Sequence, residues 1–339
     1  MLEKAANSLA QLDAYSHIVP NVDIFIHMHI SMEASKSSRI EGTQTNFDEA
    51  VMKKELIQPE KRDDWQEVQN YIRAMNHAIK DLENLPLSVR LLKDTHKTLM
   101  TGVRGDRKFP GEIRKSQNWI GGTSLADAVF IPPHHDEVPE LLSDLEKFWH
   151  NDNIHVPHLI RVAISHYQFE TIHPFLDGNG RIGRLIITLY LLHCGMLKKP
   201  ALYLSDYLER NKDAYYNALT VVRASNDISH WVKFFLKAVT ETAEKGRMTF
   251  IKIMDLKNDM DCWTYSLGKK AENANRLLTD LYKNPVVSSG MVSELLNLTP
   301  KSSLALIDDF VKGGVLHEIT GFKRNRFFIF DRYVQLFRD

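Results

Sequence analysis

Apolar side chains return every three or four residues through most of this 339-residue chain, and that spacing commits it to a mainly helical architecture. Between positions 64 and 82 (DWQEVQNYIRAMNHAIKDL) the rule puts Val68, Tyr71, Ile72, Met75 and Ile79 on one face. It predicts further helices over 88–100, 143–150, 157–170, 181–196, 211–223 and 229–245. One interval departs from it. SQNWIGGTSLADAVFIPP (116–133) has two short β-prone runs around a Gly-Gly centre and ends on Pro-Pro, which reads as a small hairpin. Beyond position 280 two short amphipathic helices, 291–296 and 301–311, precede the β-prone runs VLHEI and RFFIF with the basic turn TGFKRN between them. Helix, turn, helix and a two-stranded wing describe a winged-helix module.

The length suits about two domains. An apolar fraction of 43%, a charged fraction of 25% and a formal charge of zero are ordinary for a globular protein. No global field draws such a chain to nucleic acid or lipid. Cys194 and Cys262 are isolated, which excludes a disulfide framework and a CxxC metal pair. MLEKAANSLAQLDAY lacks the apolar core of a signal peptide, and the longest apolar run, LIITLYLL (185–192), is too short to span a bilayer. The expectation is a cytoplasmic protein with no membrane association.

The segment ETIHPFLDGNGRIGRL (170–185) contains Gly178-x-Gly180-x-x-Gly183, which has the spacing of a dinucleotide-binding fingerprint. That fold requires a strand before the glycines and an acidic residue closing a second strand about 20 residues on. Here both flanks have helical spacing, so a Rossmann reading fails. Between two helices, Gly178-Asn179-Gly180 instead opens the second helix with free N–H donors, a ready anion nest. Arg181 and Arg184, three residues apart, can both reach over that nest with forks suited to phosphate oxygens. A carboxylate beside phosphates, Asp177, is the usual holder of Mg²⁺. His173 supplies a base that titrates near neutrality. Taken singly, these are a core histidine, a solvated helix face and a turn; together within twelve residues they describe phosphoryl or nucleotidyl transfer.

At these residues the chain resembles the Fic family, whose signature HPFx[D/E]GNGRxxR is matched throughout by HPFLDGNGRIGR, 173–184. The resemblance implies a Fic-type helical bundle with a small β-hairpin flap, here followed by the C-terminal winged helix-turn-helix. It implies a protein adenylyltransferase that moves AMP from Mg·ATP to a Ser, Thr or Tyr hydroxyl of a target protein. On this reading His173 is the base, Asp177 holds Mg²⁺, and ATP is bound by Glu41, His173, Gly178, Asn179, Gly180, Arg181, Ile182, Gly183, Arg184 and Tyr216. Tyr216 takes the place of an aromatic beside the adenine. The kinase branch of the family carries Lys where Gly180-Arg181 stands, so this loop favours adenylylation. The hairpin at 116–133 would be the flap on which a target docks by strand addition.

SSRIEG (37–42) matches the inhibitory pattern [S/T]xxxE[G/N] of the same family as Ser37-x-x-x-Glu41-Gly42. Ser37 and Glu41 are one helical turn apart and Gly42 is a natural helix stop. By resemblance Glu41 pairs with Arg184 in place of the γ-phosphate, which makes this a self-inhibited member. In some relatives the same glutamate activates water to remove AMP, and that alternative stays open here.

The expected organisation is an N-terminal helical region at 1–85 with the inhibitory helix at about 33–42, a catalytic core at 86–245, connecting helices at 246–280 and the winged helix at 281–339. Self-modification and a homodimer are further expectations for partners. The alternative from another class is a DNA-binding regulator in which Lys323, Arg324 and Arg326 of the wing reach phosphates and the Fic core is a sensor. The near balance of acidic and basic residues over 286–339, and Asp308 and Asp309 on the second helix, favour protein docking over DNA. A structural metal on His155, His158, His166 and His173 is a third reading, less economical than Mg²⁺ on Asp177.

Overall fold

The structure, a computed structural model, describes residues 1–19, 21–102, 108–322 and 324–338. Helix α1 (Leu2–Ile18) lies along α11 (Ile228–Ser266), a single helix of 39 residues. The spacing suggested a helix over 229–245, and the helix runs on through Gly246. In the fold that glycine is where α1 comes close, and a Cβ there would lie 3.1 Å from Leu12 Cδ1. Helix α2 (Val22–Ile40) crosses the molecule and is buried on nearly every side. It packs against α3 (Phe47–Val51), α4 (Arg62–Asp81) and α9 (Ser205–Arg210). Asn46 and Glu49 close a capping box at the start of α3.

Helix α4 pairs with α5 (Val89–Leu99), whose Ser88 cap accepts from the Leu91 N–H, and α6 (Val138–Trp149) follows the flap. Helices α7 (His158–Ile172) and α8 (Asn179–His193) form a hairpin around the HPFLDGNG loop. Almost every residue of α8 from Asn179 to Leu191 is buried, so the run LIITLYLL belongs to the central helix of a bundle. Among the described residues no helix is long and apolar enough to cross a membrane. Helix α10 (Lys212–Ser225) leads into α11.

The flap is narrower than two strands. Ile120 and Phe130 form a single antiparallel bridge, and its tip is held by the Asp127 carboxylate, which accepts from the backbone and hydroxyl of both Thr123 and Ser124. Val129 and Ile131 face outward, whereas Phe130 turns inward beneath Arg223, 3.9 Å from guanidinium carbon to ring centre.

At the C-terminal end α12 (Ala271–Leu281) is followed by β1 (Val286–Ser288), α13 (Ser289–Leu296), α14 (Pro300–Lys312), β2 (His317–Glu318), β3 (Phe327–Ile329) and α15 (Asp331–Arg338). The three strands pair antiparallel in the order β1-β3-β2, with Val286 opposite Ile329 and His317 opposite the same residue. Strand β1 and helix α15 have no counterpart in the sequence reading, because each is too short for its periodicity to stand out. Of the basic residues between the two β-prone runs, Arg326 lies over the Phe328 ring, and Lys323 falls outside the described residues.

Candidate active site

Helix α7 ends at His173, which adopts the left-handed conformation (φ 49°, ψ 61°) and redirects the chain through Pro174. Helix α8 begins after Gly178, also left-handed at φ 76°. Within the loop the Asn179 amide closes a ring on Phe175, accepting from its N–H and donating to its carbonyl, both at 2.8 Å. The Asn179 side chain is therefore occupied in shaping the loop. The N–H groups of Asn179, Gly180 and Arg181 open α8, while that of Ile182 already bonds to the Gly178 carbonyl.

His173 is largely buried, and burial lowers its pKa to about 4, against the opposing pull of the Glu170 carbonyl and the Glu41 charge. The imidazole is thus neutral at pH 7 and able to accept a proton. Its carbonyl is gripped by Arg114 Nε at 3.0 Å and Asn118 Nδ2 at 3.2 Å. Arg114, 3% exposed, also donates to the Pro133 and Ser116 carbonyls and so ties the base of the flap to the HPFLDGNG loop. Sequence reasoning missed Arg114, since an arginine in a polar loop gives no signal.

His96 was missed as well. Its Nδ1 accepts from the Gly111 N–H at 2.9 Å, which leaves the proton on Nε2 to donate to the Asp177 carbonyl at 3.0 Å. The ring stacks on Phe175 with centroids 3.8 Å apart, and burial lowers its pKa to about 4. A polar residue at helical spacing with Leu92 and Leu99 on the apolar face of α5 was the available clue.

The Asp177 carboxylate takes the Gly178 N–H at 2.6 Å on Oδ1 and lies 3.6 Å from Arg181 Nη2. Its side chain is half-exposed on the wall of a cavity of about 320 Å³, shared with Glu41, Glu67, Asn70 and Arg181. A carboxylate with room beside it fits Mg²⁺, which keeps waters and takes substrate oxygens with one or two protein carboxylates. Arg181, buried on the same wall, also faces Glu67 at 3.4 Å.

Arg184 is enclosed, its side chain 1% exposed. Its Nε donates to Ser37 Oγ at 2.8 Å, and Nη2 donates to the Ser37 carbonyl at 3.0 Å and to Glu41 Oε1 at 2.5 Å. Burial would raise the Glu41 pKa, but the Arg184 charge outweighs it and holds the carboxyl below the usual range. The helix expected at 33–42 is longer: Glu41 is the residue that ends α2, and Gly42 follows at φ 103°.

Two residues expected to bind ATP do other work with their side-chain positions. Ile182 is fully buried in the core. Gly183 packs against α7, where a Cβ would lie 2.2 Å from Glu170 Oε1, and its carbonyl meets His166 Nδ1 at 2.8 Å. A glycine is required there for helix contact, a reason unrelated to phosphate. Tyr216 is 39% exposed while its neighbour Tyr215 is buried with its hydroxyl on His166 Nε2, so of the pair only Tyr216 offers a ring surface. The four-histidine metal reading is not met: His158 bonds Tyr190 and His166 bonds Gly183 and Tyr215. Among the described residues the one cluster with metal-ligand spacing is His134, His135 and Asp136, ahead of α6.

Residues 1–80 match the profile of the Fic/DOC family N-terminal region, and residues 86–191 match that of the Fic/DOC family. The chain is 26% identical over 181 residues to the protein adenylyltransferase Fic of Drosophila erecta, covering 52% of this chain and 33% of that protein. For the Drosophila melanogaster protein of the same name the identity is 25% over the same length. The matched region spans about a third of the length of these curated relatives. A Fic family protein from Desulfovibrio desulfuricans superposes with a TM-score of 0.56 at 19% identity, covering 97% of this chain and 96% of that one. Fic-1 from C. elegans (aa134–508) gives 0.54 at 20% identity, over 75% of this chain and 73% of that one. The signature loop, its setting between two helices of a bundle, and the two adjoining profile matches agree, and the chain belongs to the Fic/DOC family.

Proposed function

We propose that the protein transfers AMP from ATP to a hydroxyl side chain of a protein in the cytoplasm, and that Glu41 restrains this activity in the resting state. The observation that carries the reading is a neutral, buried imidazole, His173, placed just before a helix N-terminus whose glycines and two arginines form an anion site. The target hydroxyl oxygen attacks the α-phosphorus as the bond from that phosphorus to the bridging oxygen breaks. Pyrophosphate leaves, and the hydroxyl proton passes to His173. The N–H groups opening α8 and the guanidinium groups of Arg181 and Arg184 stabilise the charge on the phosphates. Mg²⁺ on Asp177, when bound, neutralises further phosphate charge.

Glu41 supports the restraint because it occupies the Arg184 fork, the group best placed to receive the terminal phosphate. Displacing the α-phosphate by about 1 Å costs roughly a hundredfold in rate. The exposed flap side chains Trp119, Val129 and Ile131 suit docking of an extended target segment by strand addition. For the winged-helix region, Asp309 of α14 is committed to Lys270, and the near-neutral surface favours a protein partner over DNA.

Incubation of wild type, Glu41→Gly and Glu41→Gly/His173→Ala with Mg²⁺ and ATP labelled at the α- or the γ-phosphate tests this. Protein-bound label from the α position only, strongest in Glu41→Gly and lost with His173, is the expected result. Label from the γ position would make the reaction phosphorylation, and equal labelling by wild type and Glu41→Gly would remove the brake.

A further inference from the structure

Five residues recur at every fourth position from α2 to its end: Phe25, His29, Glu33, Ser37 and Glu41. Side chains so spaced follow one another along a slowly winding stripe of the helix. Each meets a different part of the molecule. Phe25 packs edge-on against Tyr282 and Tyr333, with ring centres 5.1 and 6.2 Å away. His29 meets the Phe337 ring of α15 at 4.9 Å. Glu33, 2% exposed, accepts from the Ser205 N–H at 3.0 Å, from the Ser205 hydroxyl and from the Tyr71 hydroxyl at 3.4 Å. Ser37 and Glu41 then hold Arg184.

One end of α2 therefore rests on C-terminal residues, Tyr282 at the end of α12 and Tyr333 and Phe337 of α15, and the other ends beside Arg184. We propose that α2 is a lever coupling the packing of that C-terminal region to the Glu41–Arg184 lock, with Glu33 as its fulcrum. The proposal rests on the reading of Glu41 as a brake. Nineteen helical residues span about 28 Å, and such a body moves as a rod. Glu33 fixes its position along the axis, because two carboxylate oxygens take three directional bonds from α4 and the start of α9. The contacts at Phe25 and His29 are apolar and non-directional, so they set tilt. Helix α15 also grips the segment after the brake: Phe337 lies 6.0 Å from Phe47, and Arg338 Nε meets Asp48 Oδ1 at 2.8 Å. A shift of α15 thus reaches Glu41 from both sides of Gly42, and a shift of about 1 Å is enough to break a hydrogen bond of this length. A protein that engages the C-terminal region would release the enzyme without touching its active site.

The test uses the full chain carrying Phe337→Ala, the milder Phe337→Leu, or Glu33→Gln, each alone and combined with Glu41→Gly. Labelling with α-phosphate-labelled ATP is followed beside thermal melting and amide exchange. Each single variant should raise labelling on the order of fivefold or more over wild type, with faster exchange over 37–42. None should add to Glu41→Gly, because the lock it acts through is already gone. Folded Phe337 variants that label like wild type while Glu41→Gly labels strongly would overturn the lever and leave the brake standing. A rise with Glu33→Gln alone would reduce it to a local anchor and also overturn the coupling. Lower labelling in both backgrounds would make α15 a general scaffold. Glu41→Gly no stronger than wild type would remove brake and lever together.

Discussion

Glu41 fills the space that a side chain at Gly180 would need: a Cβ built on that glycine lies 2.2 Å from Glu41 Oε1. The backbone at Gly180 is ordinary helix, so no left-handed strain calls for glycine there. What calls for it is the carboxylate, together with Arg184 Nη1 at 3.0 Å. A glycine that reads as part of a phosphate nest is also the place where the Glu41 carboxylate sits.

Gly180→Ala should therefore destabilise the wild type by about 1–3 kcal/mol through overpacking, and much less in the Glu41→Gly background. Chemical denaturation of the four proteins of this cycle gives the coupling. Equal cost in both backgrounds would separate Gly180 from Glu41.

His96 bridges the Gly111 N–H and the Asp177 carbonyl, the latter 81 residues further along the chain than His96. His96→Phe keeps the stacking on Phe175 but strands both polar groups. It should cost about 1–3 kcal/mol and lower α-label transfer by Glu41→Gly. Transfer restored by raised Mg²⁺ would locate the defect at Asp177, whose position the bridge fixes.

Burial holds His29, His96, His166 and His173 each at about 4. In the unfolded chain they titrate near 6.5, so below that pH the unfolded state binds more protons. Their stabilisation is complete above the unfolded value and is lost as pH falls from about 6.5 towards 4, on the order of 2 kcal/mol or more per histidine. Glu170, raised by burial to about 7, acts oppositely: its contribution is full below the ordinary carboxylate range and is lost as pH rises through 7. Four groups against one predict a net fall in stability between pH 6.5 and 4, measurable as a drop in denaturation midpoint. The same neutral His173 predicts that transfer by Glu41→Gly stays level from pH 8 to 6, where a free imidazole would already be protonated.

The sequence by itself determined what depends on near neighbours. The HPFLDGNGRIGR loop declares its chemistry because base, carboxylate, nest and arginines lie within twelve residues and local backbone geometry assembles them. Helix ends at Ser88 and Gly42 are legible for the same reason, since a cap is satisfied within one turn. Helix α2 left only its second half visible, through a motif, because a helix buried on nearly every side has no continuous polar face to give it a period. Tertiary structure alone decided the contacts across long separations. Arg184 and Glu41 are 143 residues apart, and their bond exists only because α2 and α8 are packed side by side. Gly183 shows the limit most plainly. Its place in the motif suggested phosphate, and the structure adds a separate reason in Glu170 on the facing helix; side chains that meet across a core leave no trace in the spacing of either segment.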